Sequence, residues 1–253
     1  LMTELWSINV KDDPLNFVKF CFPWGMKDTP LEHFSGPRKW QEKILREITI
    51  HIQRNQSITM PEMFRMAVAS GRGIGKSALV AWLVLWMLST RLGSTIIITA
   101  NTESQLRSRT WAELGKWMTL AINSHWWDKT ATTIRPAKWF DEALKRDLKI
   151  DTGYYYAQAQ LWSEENPDAF AGIHSNYGVC LIMDEASGIP APIYSVSEGF
   201  FSEPTTDRYW FCFSNPRRNT GPFYDCFNSK RAYWKNIQID SRTVEGTDKY
   251  LFQ

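Results

Sequence analysis

The sequence is poor in cysteine and histidine and carries no large excess of charge of either sign. Its four cysteines, Cys21, Cys180, Cys212 and Cys226, include no Cys-x-x-Cys pair, and His33, His51, His125 and His174 are scattered, so no zinc site is written here. Cys180 and Cys212 each fall in an apolar, strand-like run, where a buried reduced thiol is expected. A net charge of +2 excludes the strongly basic balance of a histone-like binder and leaves any nucleic-acid contact to a local patch. There is no signal peptide, internal repeat or low-complexity segment. The most apolar helical stretch, Ala78 to Leu92, is too short and too closely followed by a strand to span a bilayer, so no membrane association is expected.

What is present suits one large domain with extensions. A 253-residue chain that is 43% hydrophobic can bury a substantial core. Residues 1–35 read as a mixed lead-in with one short apolar helix, Leu15 to Phe22, closed by the break at Gly36-Pro37. Arg38 to Asn55 reads as an amphipathic helix with Trp40, Ile44, Leu45, Ile48 and Ile52 near one face. Strands and helices then alternate. Phe64 to Ala69 is a strand, Lys76 to Leu92 a helix, Ser94 to Ala100 a buried strand, and about 102–123 a helix. Residues 124–150 read as irregular, and Tyr154 to Trp162 as a further strand. Val179 to Met183 and Arg208 to Ser214 are apolar strands ending in Asp184-Glu185 and Asn215-Pro216. Such alternation predicts an α/β fold with a mainly parallel central sheet flanked by helices, its functional residues at the carboxyl ends of the strands.

Between the first strand and its helix lies Ser70-Gly71-Arg72-Gly73-Ile74-Gly75-Lys76-Ser77. This is the phosphate-loop pattern G-x-x-x-x-G-K-[ST] with Ser in the first position. Gly71, Gly73 and Gly75 let the backbone turn its N–H groups toward a phosphate, and the helix start adds a favourable dipole. Lys76 is placed to reach the β- and γ-phosphates of ATP, and the Ser77 hydroxyl to bind Mg²⁺. The second acid site, 108 residues after Lys76, ends an apolar strand. There Asp184 is a candidate Mg²⁺ holder and Glu185 the base that accepts a proton from attacking water.

Other positions have two readings each. Gln41 with Trp40 suits selecting and stacking an adenine, since an amide donates to and accepts from one base edge; the alternative is a helix start with an exposed Gln. Ser214 and Asn215 suit sensing a γ-phosphate at a strand end, or form a polar turn. Arg72 suits stabilising transition-state charge in cis or pairing with Glu185, or faces solvent. Arg107, Arg109, Arg217 and Arg218 read as solvated faces more readily than as DNA contacts.

In order along the chain, Pro37-Arg38-Lys39-Trp40-Gln41, Gly71 to Ser77 with its internal Arg, Leu181 to Ala186, and Ser214-Asn215-Pro216 with Gly221-Pro222-Phe223-Tyr224 together resemble the ATPase domain of the large terminase subunit of tailed bacteriophages and herpesviruses. The resemblance covers about residues 36–240. It implies a P-loop NTPase of the RecA-like (ASCE) type with Arg38, Trp40 and Gln41 at the adenine. It implies a motor that drives double-stranded DNA into a procapsid in the host cell cytoplasm without being retained in the virion. The expected partners are the portal protein, a small terminase subunit and copies of itself in a ring, usually of five, with the isolated chain mainly monomeric. The family arginine acting on a neighbour's ATP is absent, since the matching stretch is Phe170-Ala171-Gly172. Residues 241–253 read as the start of a linker toward a nuclease domain for which no room remains, so no nuclease activity is expected. A helicase-type or other nucleic-acid-dependent P-loop ATPase is the alternative. A helicase of that type needs a second lobe, and a non-catalytic nucleotide-binding module would not need all of Lys76, Ser77, Asp184 and Glu185.

Overall fold

The computed structural model describes residues 1–246, so the end of the expected linker lies outside the described residues. Three short helices, α1 (Met2–Leu5), α2 (Ile8–Lys11) and α3 (Pro14–Cys21), precede α4 (Lys39–Gln56). The central sheet begins with β1 (Phe64–Ser70), followed by α5 (Lys76–Thr90) and β2 (Thr95–Ala100). One helical stretch follows: α6 (Glu103–Gln105), a π-helical turn at Leu106–Trp111, and α7 (Ala112–Leu120). Then come β3 (Trp127–Lys129), β4 (Thr133–Pro136), α8 (Lys138–Asp147), β5 (Tyr156–Ala159) and β6 (Val179–Asp184). The described chain closes with α9 (Ala191–Ser197), β7 (Arg208–Ser214), α10 (Pro222–Asp225) and β8 (Lys235–Ile239).

The eight strands form one sheet in the order β3-β4-β5-β2-β6-β7-β1-β8. From β5 to β8 all neighbours run parallel, and β3 and β4 add an antiparallel edge. Strand β7 therefore separates the loop-bearing strand β1 from the acid-bearing strand β6. Register places Ser214 beside Ala69 and Phe213 beside Asp184, so the three strands end at one level.

Alternation along β1 sets the two layers. Met66 and Val68 face the cluster built with α4 and α5, while Ala67 and Ala69 face the cluster that contains Ile193, Trp210 and Phe223. Helix α5 is apolar all round because it is covered all round: Leu79 through Leu88 are all buried. Residues 1–35 belong to this same core, contributing Leu5, Phe17, Phe22 and Leu31.

Residues 124–150 are ordered, contrary to the irregular reading. They form the hairpin β3–β4 and the amphipathic helix α8. Strands of three and four residues are too short for alternation to register, and this segment is held by rings: Trp126 and Trp127 pack on Phe140, and Trp127 on Tyr155. The edge strand β8 also escaped the sequence reading, because only Ile237 and Ile239 among its residues meet the main core.

Candidate nucleotide site

The loop after β1 turns on two left-handed glycines, Gly73 (φ 71°) and Gly75 (φ 92°), the latter capping α5. Ile74 is fully buried and anchors the turn. No side chain caps α5, so its first N–H groups are free for an anion. Lys76 is the first residue of that helix, and its Nζ donates to Asn215 Oδ1 at 2.8 Å. Burial pushes the Lys76 pKa down, opposed by the nearby carboxylates of Glu185 and Asp184. An amide oxygen brings no counter-charge to the ammonium, so phosphate oxygens, which are ionised, would compete well for Lys76. Ser77, half-buried, follows on the first turn.

Asp184 ends β6 with its carboxylate buried. Its Oδ2 accepts from Thr110 Oγ1 at 2.7 Å and its Oδ1 from the Glu185 N–H at 3.0 Å. Burial pushes its pKa up, and the Thr110 bond and Lys76 pull the other way. Thr110 is itself buried, on the π-helical turn. Such turns recur at functional sites because they displace one residue from the regular helical face. No spacing rule links positions 110 and 184, so this contact is not visible before the fold is known. Glu185 sits in the left-handed region (φ 52°, ψ 41°), which costs a glutamate of order 1–3 kcal/mol. The turn behind it is fixed: Ser214 Oγ accepts from the Ser187 N–H at 3.1 Å and donates to Ser187 Oγ at 2.8 Å. Ser214 thus braces the acidic turn, while its neighbour Asn215 meets Lys76.

The start of α4 is tied to the loop. Gln41 Oε1 accepts from the Arg38 N–H at 2.8 Å, Gln41 Nε2 donates to the Gly75 carbonyl at 2.9 Å, and Trp40 Nε1 donates to the Ile74 carbonyl at 3.1 Å. Gln41 is buried, and both ends of its amide are engaged with backbone, so here it holds the loop instead of presenting an edge to a base. Arg38 differs: its Nη1 is buried without a hydrogen-bond partner, beside Gly75. Arg72 is exposed and forms no ion pair among the described residues, with Glu185 or any other acid. Arg107 is paired with Glu103 at 2.7 Å on the helix surface. Gly71 touches a residue that the sequence reading did not place at the site: a Cβ there would collide with the Ser241 side chain.

Among the described residues there is no group of three or more His, Cys, Asp or Glu that could cage a metal. Mg²⁺ needs less, since it keeps waters and takes one or two protein oxygens along with substrate phosphates. The Ser77 hydroxyl and the buried Asp184 carboxylate, a charge lacking a full counter-ion, fit that requirement.

A phosphate loop on β1, an acid pair on β6 and an intervening β7 with a polar end define a RecA-like P-loop NTPase fold. No protein-family model matches the sequence, and no curated protein matches it. Among solved structures, a variant of the large terminase ATPase domain of Thermus phage P74-26 superposes with a TM-score of 0.52 at 18% identity, over 81% of this chain and 82% of that one. The large terminase of another thermophilic bacteriophage gives a TM-score of 0.51 at 14% identity, over 85% of this chain. The chain spans about half of that terminase, 47% of its length. That terminase in complex with ADP gives a TM-score of 0.46 at 14% identity, over 75% of this chain and 42% of that one. On the two likenesses with TM-scores above 0.5, the chain has the fold of large terminase ATPase domains. No helix among the described residues is long and apolar enough to cross a membrane.

Proposed function

We propose that this chain hydrolyses ATP as the motor of viral DNA packaging. The observation that carries the reading is the meeting of Lys76 with Asn215 at the end of β7, with Asp184 and Glu185 one strand further on. The free N–H groups of the loop and Lys76 hold the β- and γ-phosphates. Glu185, set off the regular backbone path beside the buried Asp184, takes the proton from the attacking water. Ser77 and Asp184 hold Mg²⁺, which when bound neutralises phosphate charge. Arg72, unpaired and exposed, is free to swing onto the γ-phosphate. Arg38, with its unpartnered N–H, faces the nucleotide from the start of α4, and Trp40 and Gln41 act through the loop backbone.

The packaging half of the proposal rests on the fold shared with large terminases. On that reading the partners are double-stranded DNA, the portal protein, a small terminase subunit and copies of this chain in a ring, at work in the host cytoplasm. Glu185→Gln tests the chemistry: it is expected to keep ATP affinity and lose ~10²–10⁴-fold in turnover. Turnover at a third of the wild-type rate would assign the base to another residue. Strand unwinding by the purified chain would favour a helicase.

A further inference from the structure

On the face of the sheet opposite α5, the segment after β7 and the segment around α10 enclose an open cleft of about 730 Å³ that reaches Ala69 on β1. Its polar lining is one-sided. Three arginines, Arg217, Arg218 and Arg231, and three amides, Asn219, Asn228 and Gln238, face it, and no carboxylate does. None of the three guanidinium groups forms an ion pair or a side-chain hydrogen bond among the described residues, so all three are free to meet an anion. Three such arginines around a single cleft form a built-in excess of positive charge in a chain whose total is only +2.

We propose that this cleft is a binding site for the phosphate backbone of double-stranded DNA. A guanidinium presents a planar fork that matches the oxygens of a phosphodiester, and amide groups add uncharged donors to the same oxygens. The arginines reach the cleft from two places in the chain, Arg217 and Arg218 after β7 and Arg231 beyond α10, so on this proposal they meet more than one phosphate. The choice of DNA over other polyanions rests on the packaging reading. The cleft itself, with its unpaired arginines, stands independently of it.

The test uses the whole chain without nucleotide, so its outcome does not depend on whether the chain hydrolyses ATP. Affinity for a short mixed-sequence duplex is measured by fluorescence anisotropy between about 50 and 200 mM salt, for the wild type and for Arg218→Ala with Arg231→Ala. Both residues are exposed, so the fold should survive, and circular dichroism checks that it does. Two lost phosphate contacts should lower the slope of log K against log salt by about 2 and weaken binding at every salt concentration. Arg218→Lys with Arg231→Lys should keep the slope while losing part of the affinity. An unchanged slope in the alanine variant overturns the proposal. So does polyglutamate competing with the duplex at equal charge concentration, which would make the partner an acidic protein. A loss of ATP affinity with duplex binding intact would assign the cleft to the nucleotide.

Discussion

The carboxylate of Asp184 has a threonine hydroxyl and one backbone N–H as its donors, and burial pushes its pKa up. An acid whose pKa is raised by folding takes up protons on folding. Its contribution to stability is therefore complete below the ordinary carboxylate value and is lost as pH rises through the raised one. At neutral pH the ionised form weakens the nucleotide-free protein. Asp184→Asn can keep both hydrogen bonds, since its oxygen accepts from Glu185 N–H and its amide donates to Thr110. We expect this variant to have a higher Tm than the wild type at neutral pH, with the gain disappearing as the pH falls below the ordinary carboxylate range, and to lose magnesium-dependent hydrolysis. Thermal unfolding across a pH series checks it, and an Asn variant that melts lower than the wild type at neutral pH refutes the account. At this scale the sequence was informative about identity and silent about posture. The places of Lys76, at the start of a helix behind a glycine-rich turn, and of Asp184 and Glu185, at the end of an apolar strand, were legible because the glycines and the apolar run mark those ends. Gln41's engagement with Gly75, and Thr110's with Asp184, depend on which helices cross which strand ends, and no local pattern carries that.

Segments that meet at the site are as tightly matched as side chains. After β8 the chain folds back so that Ser241 lies against Gly71, its Oγ in the space an added Cβ would take and its Cβ 2.9 Å from that position. Glu245 then meets Lys39 at the start of α4, Nζ to Oε1 at 3.5 Å. This segment thus spans from the phosphate loop to the helix that ties the loop down. Gly71→Ala must displace one or the other, and we expect weaker ATP binding from it. Combining it with Ser241→Gly should recover part of the loss, with a coupling of about 0.5–3 kcal/mol in a double-mutant cycle of nucleotide affinity. Additive effects would mean that loop and segment move independently. Elements bearing long apolar runs, β1, β2, β6 and β7, were readable in advance. The hairpin β3–β4 and the edge strand β8 were not, because their stability comes from neighbours and not from their own few residues.

Across the whole molecule, aromatic rings bind the lead-in to the helical layer. Phe22 and Trp24 pack on Trp82 of α5 and Trp117 of α7, with ring centroids 5.0–6.5 Å apart. Trp82→Ala should cost about 3–5 kcal/mol, which at ~2–4 °C per kcal/mol for a chain of this size lowers Tm by of order 10 °C. Differential scanning calorimetry measures it, and a shift of one or two degrees would mean that the lead-in and helical layer are only loosely joined. The order of the strands has a consequence for how the molecule is made. Strand β7 sits inside the sheet, between β6 and β1, yet among the described strands only β8 is made after it. Until residues 208–214 emerge, β1 stands with nothing on either side and the sheet built on β2 and β6 has a bare apolar flank. The phosphate loop and the acid pair are therefore synthesised as strangers. They become one site at a single late event, so a nascent chain stalled before Ser214 carries every residue of the acid pair and the loop but cannot yet bring them together.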